Sequence, residues 1–154
     1  MLILLDIDGV LIHAKLWKKL EILSDGFPKF DNQAAQNLQK IINKTEASIV
    51  LTTSHKHKYS NAEWEEIFKI REILADIDCL DNNIDNLSRK DEIMKWVDKN
   101  SSENYVIIDD DKSLNDLPVQ IKNKLVLVNG MVGIDYNATE LAILILSSSN
   151  SIKF

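Results

Sequence analysis

The sequence predicts a doubly wound α/β layer, a parallel sheet of about five strands with helices on both faces. Three observations predict it. Short apolar runs alternate with longer helical patterns along the 154 residues, which is the strand–helix–strand order of such a layer. The runs are continuous rather than alternating, as suits strands covered on both faces. Acidic or hydroxyl residues follow the runs, where ligands bind in sheets of this kind.

The elements follow in order. "LILL" at 2–5 is the first strand. Asp31 then caps a helix over "NQAAQNLQKIIN". "SIVLTT" at 48–53 is the second strand. Ser60 and Glu63 form a capping box that opens a helix running to about Ala75. "CLD" near 79–81 is a weaker strand. Ser88-Arg89-Lys90-Asp91 opens "EIMKWVDK". "YVII" at 105–108 and "LVLVN" at 125–129 are further strands. Asn137 to Glu140 opens the last helix, "LAILIL". Right-handed crossovers place every strand's C-terminal end on one edge. The chain reads as one domain over 1–147, with a frayed tail at 148–154. It shows no repeat, low-complexity segment or linker.

Composition bounds the function. Apolar content of 45% and charged content of 27% are those of an ordinary globular chain. The net charge of -6 argues against stable nucleic-acid binding, which needs a basic face. "HKHK" at 55–58 offers a local basic patch or, more simply, a solvated loop. Cys79 is the only cysteine, so the chain has no internal disulfide and no cysteine-based zinc site. It reads as a small core residue. Asp6 interrupts the apolar start too early for a secretory signal. No window reaches the roughly 18 apolar residues of a membrane span. A cytoplasmic location is the default expectation.

The strand ends carry the chemistry. Asp6 and Asp8 follow the first strand, Thr52, Thr53 and Ser54 the second, and Asp109, Asp110 and Asp111 the fourth. A single aspartate after a strand is an ordinary turn residue. Two acidic clusters on one edge are different. Carboxylates about 5 Å apart repel by roughly 3 kcal/mol at an effective dielectric near 20. Such a set needs a cation or partial protonation. Hard oxygen donors that leave room for water and phosphate suit Mg²⁺. A calcium loop starting at Asp6 fails, because its sixth and twelfth places hold Leu11 and Trp17 rather than Gly and Glu.

"DIDGVL" at 6–11, "IVLTTS" at 49–54, Lys90 at a helix start and "VIIDDD" at 106–111 occur in the order of four known motifs. Together they resemble the haloacid dehalogenase-like (HAD) hydrolase superfamily. The resemblance implies a three-layer Rossmann-like fold and Mg²⁺-dependent phosphoryl transfer. It implies that Asp6 is the nucleophile, forming an aspartyl-phosphate, and Asp8 the acid/base. Thr53, or else Thr52, would hold the phosphoryl group with Ser54 beside it, and Lys90 would neutralise it. Asp6, Asp8, Asp109 and Asp110 would form the metal site. Asp111, His55 and His57 are left without roles. Elementary chemistry agrees. A carboxylate can attack phosphorus and split the hydrolysis into two steps, and a neighbouring acid can protonate the leaving oxygen. Gly9 lets the backbone turn aside after Asp8.

Residues 10–30 leave room for a helical turn or hairpin, not for a large cap domain. "HAKLWKKLEIL" reads as a short amphipathic piece whose Trp17 packs on the body. The open site suits nucleotides, nucleic-acid ends or other bulky phosphoesters. A narrower resemblance lies in "TTSHKH", "DDD" and "VNGMVGIDYNATELAILIL", which are similar to small HAD domains associated with RNA repair proteins. Gly133-Ile134-Asp135 stands where those domains have a Gly-Leu-Thr-like segment.

Two rival readings are weaker. A response-regulator receiver needs its lysine after the last strand, whereas Lys90 precedes the second acidic cluster. A non-catalytic metal- and phosphate-binding module of the same fold would lack Asp8 or have it blocked.

Overall fold

The computed structural model describes residues 1–14 and 19–148. Trp17 and the residues beyond Ser148 lie outside the described residues. Five strands form one parallel sheet: β1 (Leu2–Leu5), β2 (Ser48–Leu51), β3 (Ile77–Cys79), β4 (Tyr105–Asp109) and β5 (Leu125–Leu127), in the order β3-β2-β1-β4-β5. β1 is central, with Leu5 paired to Leu51 on one side and to Ile108 on the other. The strand order reverses between β1 and β4. Asp6 and Asp109 therefore stand on either side of the switch point, where such sheets open a crevice.

Strand residues alternate between the two faces. Ile3, Leu5, Ile49, Leu51, Val106 and Ile108 pack towards α1 (Asn32–Thr45), α2 (Asn61–Ile70) and α5 (Tyr136–Ser148). Leu4, Val50 and Ile107 pack on the opposite face against Ile93 of α3 (Arg89–Lys99) and Leu114. These two buried clusters are the three-layer arrangement expected from the sequence.

Helix starts obey the expected cap chemistry, with one correction. Asp31 accepts from the Ala34 amide, Ser60 and Glu63 make a reciprocal capping box, and Ser88 accepts from the Asp91 amide. The last helix is capped by Asp135, whose carboxylate accepts from the Ala138 amide at 2.8 Å. The expected box at Asn137–Glu140 thus lies inside the first turn of α5. α2 ends at Ile70, short of the expected Ala75, because Glu72 adopts a left-handed φ of 64° and turns the chain towards β3. β3 accordingly begins earlier than "CLD". A short 3₁₀ turn (Lys112–Asp116) and α4 (Val119–Lys122) join β4 to β5.

The described part of the segment after β1 contains a hairpin. Ile22 bridges Pro28, and the Leu23 amide donates to the Phe27 carbonyl. Arg71, at the end of α2, fastens it down. Its guanidinium donates to both Asp25 carboxylate oxygens and to the Phe27 and Pro28 carbonyls. No large cap domain is present among the described residues. No helix among them is long and apolar enough to cross a membrane.

Candidate active site

The first strand delivers Asp6 and then breaks. The Asp6 amide still donates to the Ile108 carbonyl, which keeps this residue in the sheet. The Ile7 carbonyl then accepts from the amides of Val10, Leu11 and Ile12, closing a tight loop. Gly9 sits in that loop with φ of 79°, and a methyl group there would overlap the Asp110 carboxylate. Only glycine meets both demands. Gly133 meets the same pair, with φ of 76° and the Val10 carbonyl against it. Ile134 returns an amide to the Val10 carbonyl, so the segment Gly133-Ile134-Asp135 braces the Asp6 loop from behind. Asp135 then takes the capping task that a threonine also performs.

Asp6, Asp109 and Asp110 converge, with one oxygen from each lying within 4.8 Å of the others. Asp109 is fully buried and Asp6 is 6% exposed. Burial and the neighbouring Asp109 push the Asp6 carboxyl up to about 7, against the pull of Arg89. Burial and Asp109 raise Asp110 as well. Three oxygen donors with room for other ligands match the preferences of a hard divalent cation.

Arg89 supplies the cation that the structure itself provides. Its Nη1 donates to Asp109 Oδ2 at 2.7 Å and lies 3.5 Å from Asp6 Oδ2. The resemblance read from the sequence implies Lys90 in this place. Adjacent helix positions differ by about 100°, and it is Arg89, one turn before the buried Ile93, that faces the sheet edge. No hydrogen bond or ion pair joins Lys90 to the carboxylates among the described residues.

The other expected residues divide. Thr52 follows β2 beside Asp6, its amide donating to the Leu5 carbonyl. Its hydroxyl is buried and has no hydrogen-bond partner. The Thr53 hydroxyl, in contrast, accepts from the His55 amide at 3.4 Å. Ser54 is exposed and lines the cleft with Asp6, Asp8, Gly9, His13, Arg89 and Asp110. That cleft is open and measures about 450 Å³.

The Asp8 carboxylate is not one of the three that converge. It points instead to His55, whose Nε2 lies 3.0 Å from Oδ2. Asp111 turns away too, and caps the 3₁₀ turn by accepting from the Ser113 amide. The "HKHK" run is only partly a solvated loop. His57 and Lys58 are exposed, His55 is half-buried, and Lys56 is buried with its ammonium 3.1 Å from Glu92. The half-buried Cys79 thiol donates to the Lys56 carbonyl, and burial pushes it up to about 11, which disfavours the thiolate.

A Rossmann-like parallel sheet that gathers three carboxylates and a guanidinium beside its switch point defines a domain of the HAD type. More narrowly, the chain belongs to the family described as the HAD domain in Swiss Army Knife RNA repair proteins, which matches residues 2–138. The match takes in the whole sheet and every candidate site residue. It is the narrower of the two resemblances read from the sequence. No curated protein and no solved structure matches the chain. Membership supports a HAD-type hydrolase in general terms.

Proposed function

We propose that the protein is a Mg²⁺-dependent phosphomonoester hydrolase acting through an aspartyl-phosphate on Asp6. The observation that carries this reading is the buried Asp6–Asp109–Asp110 cluster facing Arg89 at the switch point. A cluster this acidic beside one guanidinium needs a further cation or partial protonation.

Asp6, Asp109 and Asp110 would hold the Mg²⁺, and a bound ion would keep Asp6 ionised and screen the phosphoryl oxygens. Asp6 attacks phosphorus. Asp8 gives a proton to the leaving oxygen and then takes one from the water that releases phosphate. The unpartnered Thr52 hydroxyl donates to a phosphoryl oxygen, which relieves its own burial cost. Arg89 stabilises charge that develops on the transferring group.

The cleft is open, so the reading extends to nucleotides, nucleic-acid ends and other bulky phosphoesters. The family's description makes the terminal phosphate of an RNA the first substrate to try. The net charge of -6 favours brief contact with an end over a grip along a strand. The non-catalytic module is the weaker reading, because the Asp8 side chain is 61% exposed in the cleft rather than blocked. The test is hydrolysis of an aryl phosphate, followed by 3′- and 5′-phosphorylated oligonucleotides, nucleotides, phosphopeptides and sugar phosphates. Activity should require Mg²⁺ and disappear in Asp6→Asn. Full turnover in that variant, or in excess chelator, would overturn the mechanism.

A further inference from the structure

We infer that His55 is a positioning residue for the acid/base Asp8, and that it governs how well the enzyme expels poor leaving groups. The inference rests on the phosphatase reading above and assigns a role to a residue that reading does not use.

Asp8 has a problem that Asp6 does not. Asp6 is buried and held among fixed neighbours, whereas the Asp8 side chain is mostly exposed on a loop. An exposed carboxylate samples several rotamers, and general acid catalysis needs its proton within hydrogen-bond reach of one oxygen. His55 Nε2 is the sole hydrogen-bond partner of the Asp8 carboxylate among the described residues.

The histidine is itself fixed. Its amide donates to the Thr53 hydroxyl and its carbonyl accepts from the Lys58 amide, so it stands on a closed turn. Its ring meets Phe27 edge-on, at 6.3 Å between centroids and 86° between planes. Phe27 is in turn buried against Trp64 and Tyr59, with its carbonyl held by Arg71. A chain of packed groups thus runs from the body of the domain to one carboxylate oxygen.

The consequence is chemical. With its proton on Nε2, His55 donates to Oδ2 and leaves Oδ1 to carry the transferable proton. Asp6 bonds to phosphorus, the phosphorus–oxygen bond to the leaving group breaks, and its electron pair takes the proton from Oδ1. In the second step Oδ1 recovers a proton from water as the water oxygen displaces Asp6. A leaving group that is stable as an anion needs this proton little, and an alkoxide needs it greatly.

The test uses the full chain with Mg²⁺ and two substrates, p-nitrophenyl phosphate and an alkyl phosphate. His55→Ala should lose only a few-fold in kcat/KM on the nitrophenyl ester. On the alkyl ester it should lose about a hundredfold, the lower end of general acid catalysis. His55→Gln retains an N–H donor and cannot carry a proton, so it should recover most of the alkyl rate. Mg²⁺ affinity should match the wild type in both variants. Equal losses on the two esters would overturn the inference, as would a glutamine variant no better than alanine or a loss of Mg²⁺ affinity. Wild-type protein that hydrolyses neither ester would instead remove the phosphatase reading, and this inference with it.

Discussion

Arg89 donates to Asp109 across 2.7 Å from the first turn of α3, and Asp6 lies 3.5 Å from the same nitrogen. A cation at a helix N-terminus opposes the helix dipole. Two carboxylates offset that cost, and they do so at the place where phosphate charge would arrive. Arg89→Met should lower kcat/KM by about 10²–10³, the scale for losing one charge-stabilising donor. Arg89→Lys keeps the charge without the planar fork and should fall between. In metal-free protein, Arg89→Met should also cost roughly 3 kcal/mol in urea unfolding, because Asp109 is left buried and unpaired. Wild-type kinetics in Arg89→Met would show that the guanidinium serves the fold alone.

Thr52 and Thr53 separate by their partners. Removing a buried hydroxyl that bonds to nothing relieves a burial cost, so Thr52→Val should stabilise the metal-free protein by about 1 kcal/mol. The same change should reduce kcat/KM tenfold or more. Thr53→Val breaks an existing hydrogen bond and should destabilise instead. Denaturant melts and steady-state kinetics on the two variants decide which hydroxyl meets the phosphate. A Thr52→Val enzyme with undiminished activity would return the role to Thr53.

The raised Asp6 carboxyl predicts a pH signature. Its folded value of about 7 lies above the ordinary 3.8, so the folded protein holds this proton more tightly than the unfolded chain does. The associated stability is present at low pH and is lost as pH rises from about 4 through 7. In chelator, the melting temperature of the wild type relative to Asp6→Asn should fall across that window. Saturating Mg²⁺ should abolish the fall by favouring the ionised form. A constant difference between the two proteins in chelator would contradict the assignment.

Arg71 and Asp25 act in the opposite direction. The Arg71 hydrogen bond, working against burial, holds the Asp25 carboxyl below the usual carboxylate range. Its stabilisation is complete at neutral pH and is lost as pH falls below about 4. Arg71→Met strips five hydrogen-bond acceptors of a buried donor and should cost about 3–5 kcal/mol. Asp25→Asn should cost about 1.5–3 kcal/mol, the scale for a charged hydrogen bond. Chemical denaturation at pH 7 and at pH 3 reads both effects, and equal stability of Asp25→Asn and wild type at pH 7 would count against the pair.

The strands were legible because continuous apolar runs have few other places to go than the middle of a parallel sheet. The acidic edge followed from them. The finer assignments depended on rotations that one-dimensional spacing does not carry. Arg89 and Lys90 are neighbours in sequence and about 100° apart on the helix. Their relation to Ile93, the buried residue of α3, was the available signal. Asp6 and Asp8 would share a side if the strand continued. It stops at Leu5, and the three amides gathered on the Ile7 carbonyl turn Asp8 towards His55. Asp111 followed the familiar rule for an aspartate two residues before a serine amide, a turn signal outweighed by the pull of "DDD". Lys56 looked solvated because its burial depends on Glu92, which is distant in sequence.

In the proposed reaction phosphorus becomes bonded to Asp6. Asp8→Asn should slow the release step, since no base remains to activate water. Acid-quenched Asp8→Asn protein, after incubation with Mg²⁺ and an aryl phosphate, should carry one phosphoryl group on the peptide that contains Asp6. Mass spectrometry of the digested protein measures this directly. An unmodified Asp6 peptide from an enzyme that still turns over the substrate would exclude the aspartyl-phosphate.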